Sequence, residues 1–204
     1  MDARLIDRIY ESCFAPETWP DVLDEIGRIA DTAGASLFVS KDHVLHCVAS
    51  PEPRERAERI VKEGWLWRGT VVGRLFAQRY PGFLIDVEFF TPEELAEEPI
   101  YRDLWRPQGV GWGMATAIPI PTGENVTFVC SRPMERGPFQ RASANRLDEL
   151  RPHLARARPK DRQRSTRLRL ENMLSRSCWP LEEGIAQTRH MTYCLFFGRK
   201  VGRP

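Results

Sequence analysis

Residues 114–131, MATAIPIPTGENVTFVCS, contain two short apolar runs joined by a turn. The run 114–120 has strand propensity, the proline, glycine and asparagine of 121–125 indicate a turn, and 126–131 alternates in polarity as a returning strand. Residues 35–50, ASLFVSKDHVLHCVAS, have the same arrangement around a turn at 41–43. The sequence therefore predicts two β-hairpins.

Segments with helical spacing of apolar residues flank and separate these hairpins. Thr18 is predicted to cap one helix, and Thr91-Pro92-Glu93-Glu94 has the composition of another helix start. A long helix is predicted from about Phe139 to Ala157, with a kink at Pro152. Hairpins separated by helices, without regular strand–helix alternation, favour an α+β fold in which helices flank one antiparallel sheet.

Composition is that of an ordinary globular protein. Of the 204 residues, 42% are hydrophobic and 28% charged, and no stretch approaches the roughly 18 apolar residues of a membrane span. The N-terminus does not resemble a secretory signal, and the five scattered cysteines lack disulfide or zinc spacing. We therefore expect a cytoplasmic protein with reduced thiols and no membrane partner.

Charge divides the chain in two. Residues 1–150 hold 17 Lys and Arg against 24 Asp and Glu, a net of −7, whereas residues 151–204 hold 13 against 4, a net of +9. An acidic body repels nucleic acid, so only the C-terminal part would attract phosphate. We predict a domain over 1–158 and a basic, largely irregular tail over 159–204. Two interpretations of the tail are open, a truncated or frameshifted C-terminus and a genuine tail that binds nucleic acid.

Several segments together resemble the N-terminal sensor region of bacterial LuxR-type helix-turn-helix transcriptional regulators. They are EPIYRDL at 98–104, RPQGVGWG at 106–113, IPIP at 118–121, RGPF at 136–139 and RLDELRPHL at 146–154, with 6–10 and 19–23 fitting the start of the pattern. The resemblance spans about residues 3–158. It implies a PAS/GAF-like sensing fold, usually a homodimer, that passes its state down a C-terminal helix. It does not imply the acyl-homoserine-lactone pocket of the best-known quorum sensors.

The resemblance ends before an output domain. No recognition-helix pattern follows Ala157. We therefore expect that DNA is contacted only by a helix-turn-helix domain and that this chain lacks that domain. The leading hypothesis is a small-molecule-responsive sensor domain. The alternative is a ligand-free interaction module that dimerises through helices at 5–14 and 147–154.

Aromatic residues concentrate between the two hairpins, and we predict that they line the pocket of an unknown ligand. Aromatic side chains give a pocket apolar area together with an occasional polar group, although the same residues also serve as core packing. The predicted ligand-binding residues are Trp65, Trp67, Tyr80, Tyr101, Trp105 and Trp112. Asp86, Arg102 and Asp103 are the polar candidates, and Arg102 and Asp103 are too close in sequence to face one pocket from a helix.

The sequence does not predict catalysis or metal binding by this chain. His43, His46, His153 and His190 show no metal-ligand spacing, no nucleophile elbow is present, and no cofactor motif occurs. His46 and Cys47 are neighbours on a predicted strand and would point to opposite faces. We therefore predict no catalytic residue, no metal and no cofactor, and a small Cys47-dependent enzyme is the least favoured hypothesis.

Overall fold

The computed structural model describes residues 2–32, 34–42 and 44–157. The helices and strands of this part of the chain follow one another in the order α1 Ala3–Glu11, α2 Trp19–Ile29, β1 Ala35–Lys41, β2 Val44–Ala49, α3 Arg54–Lys62, α4 Val71–Ala77, β3 Leu84–Ile85, α5 Pro92–Glu97, a π-helical segment Ile100–Trp105, β4 Val110–Pro119, β5 Asn125–Pro133, α6 Arg141–Asp148 and α7 Arg151–Arg156. Single 3₁₀ turns cover Pro16–Thr18, Trp65–Trp67, Asp86–Glu88, Arg106–Gln108 and Met134–Arg136.

The five strands form one antiparallel sheet in the order β2-β1-β5-β4-β3. The predicted hairpins are β1–β2 and β4–β5, and they join because β1 also pairs with β5, with Leu37 opposite Phe128. The short β3 adds to the far edge of β4. The α+β prediction, with helices flanking one antiparallel sheet, is confirmed.

Alternation along the strands sends side chains into two separate cores. Leu37 and Val39 on β1 join a core with α1, α2, α6 and α7, whereas the intervening Phe38 joins a core with α3, α5 and the π-helical segment. A period of two places successive residues on opposite faces, and each fully buried side chain of this size contributes about 1.5–3 kcal/mol. The sheet is therefore the middle of three layers.

Two local predictions are wrong. Thr18 does not cap α2, because its backbone is already helical and its hydroxyl donates to the carbonyl of Ala15 at 2.7 Å. The long C-terminal helix is two helices, since α6 ends at Asp148 and α7 begins at Arg151. Pro152 lies in the first turn of α7, where its missing N–H costs no hydrogen bond, so it marks a start and not a kink.

The predicted helix start at Thr91 is confirmed. Thr91 and Glu94 form a reciprocal capping box at the start of α5, with backbone-to-side-chain distances of 2.9 and 3.2 Å. Pro119 is the last residue of β4 and lies beyond Met114 and Ala115, which pair with β3. Within the described chain, its missing N–H therefore removes no hydrogen bond between β4 and β3. The glycine-rich entry to β4 contains a register shift between Val110 and Trp112.

The predicted tail, residues 159–204, and His43 and His190 lie outside the described residues. Over the residues that are described, no helix is long and apolar enough to cross a membrane.

Candidate functional site

Three of the six predicted aromatic residues meet on one face of the sheet. Trp65, Tyr101 and Trp105 are buried in the core that α3 and the π-helical segment cover, whereas the partly buried Trp112 packs against both cores. The rings of Tyr101 and Trp105 lie 4.7 Å apart, inclined at 62°. Trp65, Tyr101 and Trp105, here called the aromatic layer, form the part of the predicted pocket that the fold brings together.

Trp67 and Tyr80 lie apart from the aromatic layer. Each is 41% exposed, and the ring of Tyr80 lies 5.5 Å from the guanidinium of Arg141 on α6. Two surface clefts of about 260 and 200 Å³ occur in the described chain, and neither is lined by any of the six aromatic residues. The role of all six in ligand binding stays a prediction.

A buried carboxyl group lies at the edge of the aromatic layer. Asp86, in the turn after β3, is 5% exposed, and its Oδ2 accepts hydrogen bonds from the hydroxyl of Tyr101 and from the backbone N–H of Gly113. These contacts join three elements, namely the turn after β3, the π-helical segment and β4. The carboxyl group is thus the polar point at which the helical cover meets the sheet.

Gly113 allows this approach because it has no side chain. A Cβ atom at this position would lie 2.6 Å from the Tyr101 hydroxyl oxygen and 2.8 and 2.9 Å from the two Asp86 carboxyl oxygens. These distances are shorter than ordinary carbon–oxygen contacts, so any larger residue would push the acid and the phenol away from β4. The glycine-rich entry to β4 therefore serves close approach of side chains to the backbone.

Burial changes the protonation of this pair. Burial raises the pKa of Asp86 to about 7. The hydrogen bonds from Tyr101 and Gly113 act in the opposite direction and lower this pKa by less than burial raises it. Burial is the larger cause, and the nearby Asp86 the next, of a pKa of the Tyr101 phenol well above its usual value. Near neutral pH the Asp86 carboxyl group can therefore exist in both forms, and its neutral form can donate a hydrogen bond as well as accept one.

The aromatic layer also contains a hydrogen-bond donor with no acceptor. The indole Nε1 of Trp105 is buried and finds no partner among the described residues. By contrast, the indole of Trp65 donates to Glu63 at 2.8 Å and that of Trp112 to the Met134 carbonyl at 3.2 Å. A buried N–H without an acceptor costs about 1–3 kcal/mol, so it is rare without a functional cause.

Arg102 and Asp103 do not contribute to this site. Their side chains pair with each other at 2.7 and 2.8 Å and are about half exposed, at 50% and 42%. The hydrogen bond from Arg102 lowers the pKa of Asp103. Both side chains are solvated, whereas their adjacency in the sequence indicates only that they do not face one pocket together.

Groups that could support covalent or metal chemistry are not gathered here. Cys47 is 4% exposed, and burial raises the pKa of Cys13 to about 11 and that of Cys130 to about 12, far from a reactive thiolate. In the described ranges no three histidine, cysteine or acidic residues lie close enough to hold a metal ion.

The sequence names Asp86 as a polar candidate but not its partners. Tyr101 and Gly113 are 15 and 27 positions away, and no local pattern links them to the acid. No local signal separates Asp86 from Glu88, which lies in the same apolar stretch FLIDVEFF at 83–90 and is exposed.

Comparison with solved structures identifies the fold. The ligand-binding domain of VqsR from Pseudomonas aeruginosa matches with a TM-score of 0.58 and 12% identity, over 76% of this chain and 92% of that one. SdiA of Escherichia coli matches with a TM-score of 0.50 and 13% identity, over 85% and 67%. A LuxR-family factor, CepR2 of Burkholderia cenocepacia, scores 0.46 at 17% identity over 76% and 93%, which is too distant to weigh.

No family model matches the sequence, and no curated protein matches it. At 12–13% identity the shared feature is the fold. The chain therefore has the fold of the VqsR ligand-binding domain, in agreement with the sensor region that its sequence resembles.

Proposed function

We propose that this chain is the small-molecule-responsive sensor domain of a LuxR-type transcriptional regulator, acting in the cytoplasm and without catalysis. The observation that carries the proposal is the buried, unpaired indole N–H of Trp105 inside the aromatic layer. A ligand with a hydrogen-bond acceptor would satisfy this donor. The fold of the VqsR ligand-binding domain supports the same assignment.

The chemistry of the aromatic layer selects a class of ligand. Its surface is apolar, and its polar groups are one N–H donor and the Asp86–Tyr101 pair. An anionic ligand would lose its hydration beside the buried Asp86 carboxyl, which costs several kcal/mol, and a cationic ligand would find a counter-charge there only when that carboxyl ionises. We therefore expect an uncharged molecule with an apolar chain and a carbonyl or amide group.

Binding would require the aromatic layer to repack. Its three residues are at most 8% exposed, so a ligand reaches them only when helices over the sheet move. The ligand can favour the moved state only by binding it more tightly than the packed state. This requirement links binding to a change of conformation, which is the property a sensor needs.

Strand β4 offers a path from this site to the opposite layer. Gly113 touches Asp86 on one face, and three residues later the hydroxyl of Thr116 accepts a hydrogen bond from Arg151 of α7 at 2.8 Å. Arg151 also donates to the carbonyl of Ala117 at 3.1 Å. A shift of β4 would therefore move α7, the helix that leads toward the C-terminal part of the chain.

The test uses uncharged carboxamides with alkyl chains of increasing length, added to the full chain in thermal-shift and calorimetric titrations. We expect affinity to rise about fourfold for each methylene group that is buried. Replacing Trp105 by Phe removes the donor and keeps the ring, and should weaken binding about tenfold. Trp67→Phe, at an exposed indole, is the matched control and should bind as the wild type does.

Two results would overturn this proposal. One is that no carboxamide in the series stabilises the chain, and the other is that Trp105→Phe binds as tightly as the wild type. In either case the aromatic layer is core packing.

A second candidate function is a ligand-free dimerisation module. Phe14, directly after α1, is 72% exposed, and α1 lies against α7 through a Tyr10–His153 contact of 3.0 Å. An exposed aromatic side chain beside these two helices is typical of an interface. Sedimentation should then show a dimer that Phe14→Ser dissociates. A monomeric wild-type chain would exclude this candidate.

A further inference from the structure

A polar cleft of about 260 Å³ lies at one end of the sheet, where β4 begins, β5 ends and the residues before α3 pass over them. Its charged lining residues are Arg56, Glu52 and Glu135, and its hydroxyl and amide groups come from Thr32, Ser131 and Gln108. None of these residues belongs to the aromatic layer. The polar cleft is therefore a separate candidate site.

Arg56 is the unusual residue of the polar cleft. Its side chain is only 10% exposed, while Glu52, the carboxylate that pairs with it, is 46% exposed. Arginine is rarely buried to this extent unless its charge and its donors are matched. A guanidinium held this deep beside open space therefore indicates a binding role in addition to the ion pair.

The geometry leaves part of the guanidinium available. Nη2 makes the hydrogen bonds found for this group within the described ranges, to the Ser131 hydroxyl at 3.0 Å and to Glu52 at 3.2 and 3.4 Å. Ser131 is fixed in turn by Thr32, whose hydroxyl donates to the Ser131 carbonyl. The arginine is thus held in place through Nη2, and Nε or Nη1 is left to donate a single hydrogen bond to a carboxylate.

Space and charge in the polar cleft define the ligand. Gly109 has a φ of +76° and a Cβ there would meet nothing within 4 Å, so this wall is open. The volume is below the about 300–1,000 Å³ of pockets for drug-sized ligands, which indicates a smaller molecule. One guanidinium and two carboxylates have a net charge of −1, which disfavours a simple anion. A simple cation would leave the free donors of Arg56 unmatched, whereas a molecule that carries both charges complements both kinds of group.

We propose that the polar cleft binds a small zwitterion of the amino-acid type. Arg56 receives its carboxylate, and the carboxylates of Glu52 and Glu135 receive its ammonium group. Ser131 and Gln108 supply neutral hydrogen bonds around them. This site is independent of the aromatic layer, so it stands or falls separately from the sensing of an apolar ligand.

The test titrates the full chain with the free L-amino acids and with their N-acetyl and C-terminal amide derivatives. At least one free amino acid should bind and raise the melting temperature, and its two derivatives should each bind at least about tenfold more weakly. Equal binding of the N-acetyl derivative would overturn the zwitterion in favour of a simple anion. Absence of binding by every free amino acid would overturn the site.

Variants assign the two charges. Arg56→Met should abolish binding, and Arg59→Met, on the same helix but paired with Glu63 away from the cleft, should leave the affinity within about twofold of the wild-type value. Glu135→Gln removes only an outer carboxylate and covers the case in which Arg56→Met fails to fold. It should weaken binding of the free amino acid about tenfold and leave the melting temperature of the ligand-free chain unchanged. Wild-type affinity in either Arg56→Met or Glu135→Gln would contradict the proposal.

Discussion

Ionisation of Asp86 should make the protein less stable as the pH rises toward neutrality. Because burial raises the pKa of this carboxyl from 3.8 to about 7, the folded chain keeps its proton over a range in which the unfolded chain has lost it. A tenfold change in an equilibrium constant corresponds to about 1.4 kcal/mol, so the full difference amounts to about 4 kcal/mol. The free energy of unfolding should therefore fall between about pH 4 and pH 7 and then level off.

The substitution Asp86→Asn isolates this contribution. The amide oxygen can accept the hydrogen bonds from Tyr101 and Gly113, and the amide group does not ionise. Relative to the wild type, the variant should gain about 3 kcal/mol in the free energy of unfolding from pH 5 to pH 8, most of it below pH 7. An ion pair shifts a carboxyl group in the opposite direction, since the hydrogen bond from Arg74 lowers the pKa of Glu94 to about 2.

Urea denaturation followed by tryptophan fluorescence at half-unit steps of pH measures the difference. Asp103→Asn is the control, because this acid is exposed, its pKa is lowered by Arg102, and its titration is complete below the range studied. Its stability curve should run parallel to that of the wild type. If the Asp86→Asn and wild-type curves are parallel as well, then Asp86 ionises as an ordinary solvated acid and the buried-acid reasoning is refuted.

Three further predictions concern individual contacts. Gly113→Ala should cost about 1–3 kcal/mol in urea denaturation, because the new methyl group overlaps the buried acid and phenol; an unchanged midpoint would show that the two side chains move aside freely. Asp31→Ala should lower the free energy of unfolding more than Arg136→Ala does, because Asp31 pairs with the buried Arg132 whereas Arg136 is 46% exposed. Equal losses in urea denaturation would contradict this. Thr91→Ala should cost about 1 kcal/mol through loss of the capping box, and Thr91→Ser should restore most of it.

The fold could be predicted as far as its local patterns extend. Hairpin residues such as Asn125–Pro133 alternate in polarity, and Thr91 and Glu94 form a short-range cap, so both are visible in the sequence. The pairing of β1 with β5 is not, since nothing local specifies which strands of two hairpins meet. The break between α6 and α7 was also missed, because Pro152 is compatible with a kink and with a helix start.

The candidate site was predictable only in composition. The aromatic residues between the hairpins were identified, but their spacing did not distinguish Trp105, 6% exposed, from Trp67, 41% exposed. Arg56 in the polar cleft was not identified, because an arginine in a charged helix is usually solvated. Burial of single polar atoms depends on contacts between distant elements, and sequence periodicity does not encode those contacts.

The two cores of the protein differ in how strictly they obey the rules of packing. The core around α2 consists of hydrophobic side chains, and Arg132 packs on one of them, Phe139. The Nε of Arg132 has no hydrogen-bond partner among the described residues, but its charge is paired with that of Asp31. The aromatic core contains an unpaired indole N–H and a carboxyl group whose ionisation burial disfavours. An apolar side chain in place of either group would pack at lower cost, so stability alone does not explain them. Because exceptions of this kind concentrate where a protein binds or switches, the aromatic face is where a ligand should be sought first.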